Sequence, residues 1–189
     1  MREKIISKQE ERELIKRAKE CDSSAFAKLY ELYYQNIYNY IYYRIPDALL
    51  AEDMTSEVFI KVLESIDSFT FRGFPFSSWL FRIARNLMVD YYRSHPEPVD
   101  LPLETRGLPI EEDPRDVFER ELTQQQLAQA LSNLTEDQQQ VIILRFVDRL
   151  SSPDVAQVLG KSEGAIKALQ HRALSSLNRV LEEFFPDRS

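Results

Sequence analysis

Cysteine is almost missing from this chain: Cys21 is the single one in 189 residues. That excludes an internal disulfide framework and a cysteine-based zinc site. Histidine is nearly as scarce, with His95 and His171 alone, which leaves little for a metal centre or a catalytic triad. Glycine occurs four times, at 73, 107, 160 and 164, and there is no Asn-Gly or Asp-Gly pair. Sheet-rich folds need many tight turns of that chemistry. The expected fold class is therefore all-α. No apolar run approaches the ~18 residues of a membrane-spanning helix. The first twenty residues mix charges of both signs without the apolar core of a secretion signal, so a cytoplasmic protein that is not membrane-inserted is expected.

What is present is helical periodicity. From Ser23 to Ile45 there is neither Gly nor Pro, and Phe26, Leu29, Tyr30, Tyr33, Ile37, Tyr40 and Ile41 recur on one face. A second helix is predicted over 47–66 (Leu50, Met54, Val58, Phe59, Val62, Leu63, Ile66) and a third over 77–94 (Leu80, Ile83, Ala84, Leu87, Tyr91). Five of the nine prolines, at 96, 98, 102, 109 and 114, then interrupt all periodicity. Residues 96–116 hold seven acids and two bases, most of the net charge of −7. The organisation predicted is two small helical domains, 1–95 and 117–189, joined by a flexible, acidic, proline-rich linker at 96–116. Because the domains themselves are near neutral, the acidic total does not argue against nucleic acid.

The C-terminal domain should open with a helix near 117–131. Another starts at Thr135, with Gln138 as capping-box partner and Val141, Ile142, Leu144 and Phe146 as core. Next, Ser152 reads as an N-cap with Pro153 at the first helical position. That helix should end at Leu159, where Gly160 can take the left-handed conformation, and Ser162 caps another helix at once. Two helices joined by three or four residues through a glycine have the form of a helix-turn-helix. Ala156 is small at their crossing, and Val155, Ile166 and Leu169 would bury it. As far as residue 180, the second helix carries Lys161, Lys167, His171, Arg172 and Arg179 against one acid, Glu163. Its first turns would present Ser162, Glu163, Lys167 and Gln170 to base edges in a major groove. The competing reading is a helical hairpin with a solvated charged face.

The N-terminal domain carries FRGFPFSSWLFRIARNLMVDYYR from Phe71 to Arg93, with seven aromatics, four arginines and one acid. Unstacked bases lie on aromatic rings and arginines follow phosphates, a mixture suited to single-stranded DNA. Trp79 and Phe81 could equally be core. Upstream, Glu52, Asp53 and Glu57 form an acidic cluster, with Asp53 and Glu57 one turn apart. Carboxylate-bridged metal sites on helical bundles also use Glu-x-x-His, which does not occur here. An acidic and apolar helix face offered to a protein partner fits better, and no metal or other cofactor is expected.

In that order, AEDMTSEVFIKVLESI, FSSWLFRIARNLMVDYYR and SSPDVAQVLGKSEGAIKALQHRAL resemble the bacterial RNA polymerase sigma factors. The two-domain build is similar to their extracytoplasmic-function (ECF) group, over residues 22–95 and 117–182. Ser56 departs from the family's usual glutamine. The resemblance implies a dissociable subunit that binds core polymerase, recognises promoter DNA and helps melt it, with no catalytic residues and no small-molecule substrate. It implies that Asp53, Met54, Glu57, Val58 and Phe59 dock on the clamp helices of the polymerase β′ subunit, with the β subunit also a partner. It assigns the non-template strand of the minus-ten element to Phe71, Phe74 and Phe76, where a flipped base would sit, and to Arg82, Arg85, Asn86, Asp90 and Arg93. Ser162, Glu163, Lys167, Gln170, His171 and Arg172 would read the minus-thirty-five element. An anti-sigma factor is a further implied partner and could hold the protein at the membrane. Residues 96 to 114, fully extended, span about 65 Å. The two elements lie about 70 Å apart, so an extended linker plus the width of the domains can bridge them.

Two rivals follow from the residues alone. A stand-alone helix-turn-helix regulator would be a symmetric dimer, and leaves the aromatic loop and acidic helix without a role. A carboxylate-metal helical enzyme lacks histidine ligands.

Overall fold

The computed structural model describes residues 6–71, 74–95, 124 and 126–184, and the proline-rich linker predicted at 96–116 lies outside them. Among the described residues every regular element is helical. The N-terminal half comprises α1 (Lys8–Lys19), α2 (Ser23–Tyr42), α3 (Ala48–Ser65) and α4 (Phe76–Ser94), with a 3₁₀ turn at Ile66–Ser68. The C-terminal half comprises α5 (126–132), α6 (Glu136–Ile142), a π-helical segment Ile143–Val147, α7 (Ser152–Leu159) and α8 (Glu163–Phe184). No helix among the described residues is long and apolar enough to cross a membrane.

The local chemistry explains the boundaries. Ser7 and Glu10 cap α1 reciprocally, a box that satisfies two orphan backbone donors. Asp22 caps α2 by accepting from the Ser24 and Ala25 amides. Its carboxyl is held well below the usual range by Ser24 and then by the Arg17 guanidinium, 2.6 Å away. Asp47 caps α3 through the Leu50 amide at 3.0 Å. The cap of α7 is Ser151 rather than Ser152, so Pro153 sits one position later than predicted, still ahead of the first intrahelical donor. Gly160 ends α7 at φ 65°, as its freedom from a Cβ allows.

The core of the N-terminal half is aromatic. Tyr40, Phe76, Phe81, Phe59 and Phe69 are buried among Ile15, Leu29, Ile37, Val58 and Leu80. Tyr40 meets Phe81 edge-on at 5.4 Å. In the C-terminal half Leu131, Ile143, Leu144, Val155 and Ile166 are buried. Phe146, expected in that core, is 49% exposed. The π-helical turn inserts one residue per turn relative to an α-helix, and the register that would have turned Phe146 inward is lost.

The two halves touch. Arg44, at the end of α2 and with its side chain only 1% exposed, donates from Nη2 to Glu136 Oε1 on α6 at 2.9 Å. The same oxygen accepts from Gln140 Nε2. The Arg44 guanidinium lies over the rings of Tyr40 and Tyr92, and its carbonyl accepts from the Tyr92 hydroxyl. Asn36 donates to Asp148, whose carboxyl is pushed up by burial.

Candidate functional site

On α3 the two predicted carboxylates and the three predicted apolar contacts part company. Asp53 and Glu57 are exposed, and Glu57 pairs with Lys61 at 3.4 Å. Met54, Val58 and Phe59 are buried at 5%, 0% and 4% exposure, with Phe59 against Tyr30 at a centroid distance of 4.7 Å. These three are corrected to core residues: α3 is apolar nearly all round, and the side facing α2 and α4 takes them. The exposed apolar residues are others. Leu49 (72%), Ile60 (56%) and Leu63 (57%) share the outer side with Asp53 and Glu57. Sequence reasoning missed Leu49 and Ile60 and assigned Leu63 to the buried face. Their spacing with Asp53, at 49, 53, 60 and 63, was the available signal.

The loop before α4 has a filled aromatic base and two open rings. Phe76 is fully buried, edge-on to Phe69 at 5.1 Å and to Tyr33 at 5.6 Å, so its predicted part in a base pocket is corrected to that of a supporting core residue. Phe69, missed from the sequence, anchors the cluster against Phe71, Phe76 and Trp79. Phe71 and Phe74 remain 40% and 44% exposed. Helix α1 braces this loop. Lys19 Nζ donates to the carbonyls of Asp67 (3.2 Å) and Phe69 (2.5 Å), and the Arg12 guanidinium stands 5.2 Å over the Phe71 ring.

Along α4, Arg82, Asn86, Asp90 and Arg93 are exposed at helical spacing and form one stripe. Arg93 and Asp90 approach to 3.8 Å, both well exposed, a pairing worth little in water. Arg85 differs. It is half-buried, and its Nε donates to Gln140 of the C-terminal half at 3.3 Å, so in this arrangement it is not free for DNA.

In the helix-turn-helix, Val155 and Ile166 are fully buried and Ala156 nearly so, as the crossing demands. Ser162 caps α8 through the Ala165 amide. Glu163 and Lys167 pair at 2.7 Å on its exposed face, with His171 and Arg172 exposed one turn further. Gln170 is corrected: it is half-buried and accepts from Arg145 Nε at 3.1 Å, while Arg145 also donates to the Leu150 carbonyl. Its amide therefore ties α8 to the π-helical segment, through a partner 25 positions away that no spacing rule could signal. Among the described residues, no group of three or more His, Cys, Asp or Glu side chains is placed to hold a metal ion.

Comparison with known proteins agrees with this geometry. Residues 29–96 match the family Sigma-70 region 2, and residues 124–177 match Sigma-70, region 4. The ECF RNA polymerase sigma factor BldN of Streptomyces coelicolor is 39% identical over 176 residues, 90% of this chain and 66% of BldN. The ECF RNA polymerase sigma factor SigX of Bacillus subtilis is 34% identical over 167 residues, 83% of this chain and 84% of SigX. Among solved structures, CnrH in complex with the cytosolic domain of CnrY shares the fold, with a TM-score of 0.73 at 24% identity over 92% of this chain and 98% of that one. The sigma factor RpoE in complex with the anti-sigma factor NepR from Bartonella quintana gives 0.63 at 25% identity, covering 83% and 96%.

Proposed function

The chain belongs to the ECF RNA polymerase sigma factors, and on that premise we propose how its surfaces divide the work of initiation. The outer face of α3, with Asp53 and Glu57 set among Leu49, Ile60 and Leu63, docks on the polymerase β′ clamp helices. Exposed apolar side chains rimmed by charge are what a protein interface needs: burial supplies affinity and the carboxylates supply register. Phe71 and Phe74 receive unstacked bases of the minus-ten strand, while Arg82, Asn86, Asp90 and Arg93 follow that strand along α4. Helix α8 reads the minus-thirty-five duplex with Ser162, Glu163, Lys167, His171 and Arg172.

The observation that carries this reading is the pair of open phenylalanines in a loop whose aromatic base is closed. Phe69 and Phe76 already fill the core at this loop, so the exposure of Phe71 and Phe74 is not repaid by folding. A base stacked on such a ring gains about 1–3 kcal/mol. Capture of a base that has left the duplex then favours strand opening, without any bond being made or broken by the protein. The chain is thus a regulatory DNA-binding subunit and not an enzyme, working in the cytoplasm.

The packed arrangement of the halves is not the promoter-engaged one. With α4 and α7 in contact, α8 cannot reach an element about 70 Å from the one on α4. Engagement of both elements requires the halves to part, which also frees Arg85 from Gln140. The relative RpoE is seen with an anti-sigma factor; a partner of that class would act on this chain by holding such surfaces covered.

The test is co-elution of the purified chain with sigma-free core polymerase, followed by permanganate footprinting of a promoter. Asp53→Arg should lose co-elution. Phe74→Ala should keep co-elution and lose opening. No binding by the wild type, with a dimer at its own elution position, would favour a stand-alone regulator instead.

A further inference from the structure

Helix α1 precedes the segment matched to region 2, which begins at residue 29. Its charges are sorted by face. At about 100° per residue, Lys8, Arg12, Lys16 and Lys19 fall within a sector of about 80° that contains no acid. Ile15 and Ala18 lie on the neighbouring sector and are buried, and Glu11 turns inward to accept from the Tyr33 hydroxyl. Glu10 lies on the far side, and Glu20 and Glu13 border the sector beyond Lys16. The basic sector adjoins the aromatic loop: Arg12 covers one face of Phe71, and Lys19 is fastened to the loop's carbonyls.

Several bases elsewhere on the surface are neutralised by a carboxylate neighbour. Lys61, Arg93, Lys161 and Lys167 each have a carboxylate within 3.8 Å. Among the described residues, none of Lys8, Arg12, Lys16 and Lys19 forms such a pair. A row of unneutralised cations about 16 Å long, with an exposed ring set against Arg12, combines the two elements of single-strand recognition: charge along the backbone and a surface for bases.

We propose that α1 is part of the single-strand site, with Lys8, Arg12 and Lys16 taking backbone phosphates of the strand whose base lies on Phe71. Arg12 joins the two halves of that contact, since its guanidinium stacks on the ring and its outer N–H groups remain available to a phosphate. The proposal rests on the reading of Phe71 and Phe74 as base acceptors, and its test separates the two.

Holoenzyme is reconstituted from the full chain and core polymerase. Its affinity for a fluorescein-labelled single-stranded oligonucleotide of mixed sequence is measured across salt concentrations by anisotropy. The chains compared are the wild type, the double variant Lys8→Gln with Lys16→Gln, Arg12→Gln and Phe71→Ala. Removing two phosphate contacts should reduce the slope of log K against log salt by about 1.4, which is about 25-fold in affinity at 0.1 M. Arg12→Gln should weaken binding about 5- to 10-fold, and all variants should still co-elute with core. An unchanged slope in the double variant, with Phe71→Ala still weakened, would overturn the role of α1 alone. No effect of Phe71→Ala would remove the base site and this inference with it. Loss of core co-elution in the double variant would make the stripe a protein contact and overturn the proposal.

Discussion

The two halves are built from different hydrophobic material. Buried Tyr40, Phe59, Phe69, Phe76 and Phe81 make the N-terminal core, whereas the buried apolar residues described in the C-terminal half are all aliphatic. The difference continues to the surface. Where the core is aromatic, further rings emerge from it already oriented, and a ring with a free face suits a base that has left its duplex. Where the core is aliphatic, the outer face of α8 carries short polar and charged side chains, which suit the edges of bases still paired. On the proposed reading one chain holds two chemistries of DNA recognition, divided along the same line as the two cores.

The largest expected effect separates support from contact within the aromatic half. Phe76→Ala should cost about 3–5 kcal/mol of stability in urea unfolding, as for other buried phenylalanines. Phe74→Ala should cost less than about 0.5 kcal/mol in the same experiment, although it is the variant expected to lose promoter opening. Equal destabilisation by the two would erase the distinction drawn between them.

Next in size is the contact between the halves. Glu136→Ala leaves the buried Arg44 guanidinium without its carboxylate. Burying an unpaired charge costs several kcal/mol, and here the chain can avoid that cost by separating its halves. An increase in radius of gyration by small-angle scattering, with the thermal transition of each half retained, is the expected result.

Gly160→Ala probes the aliphatic half. A Cβ there meets nothing within 4 Å, so the cost comes from φ 65° alone and should be about 1–2 kcal/mol. Asn at the same position should recover much of it, because asparagine tolerates the left-handed region.

The smallest effect expected is a pH dependence of the packing. Asp148 caps the π-helical segment and faces Asn36 and Tyr40 of α2 and Tyr43 just beyond it, and its folded pKa is raised. The packed state therefore holds the proton more tightly than the open one. Its advantage is complete below the ordinary carboxylate value of about 3.9 and is lost as pH rises through the raised value. Scattering should show progressive opening over that window, and Asp148→Asn should flatten the response.

Much of this was legible in the order of residues. The helical class, the capped helix-turn-helix with its left-handed Gly160, and the limits of α2, α3 and α4 follow from period, caps and missing turn residues, all of which act over a few positions. Helix α1 was legible too, through Ser7 and Glu10, but its high charge hid it. The side of α3 that faces out was not legible, because Met54, Val58 and Phe59 are no more apolar than Leu49, Ile60 and Leu63, and only the position of neighbouring helices selects between them. Phe146 was misplaced because a π-helical turn breaks the period on which the reading depends. The Arg44–Glu136 pair, the tie of Arg85 to Gln140 and the guanidinium over Phe71 join residues 92, 55 and 59 positions apart. Short-range rules carry no information about such pairs. They arise when packed helices bring distant side chains together, and that packing decided which predicted contacts are surface and which are core.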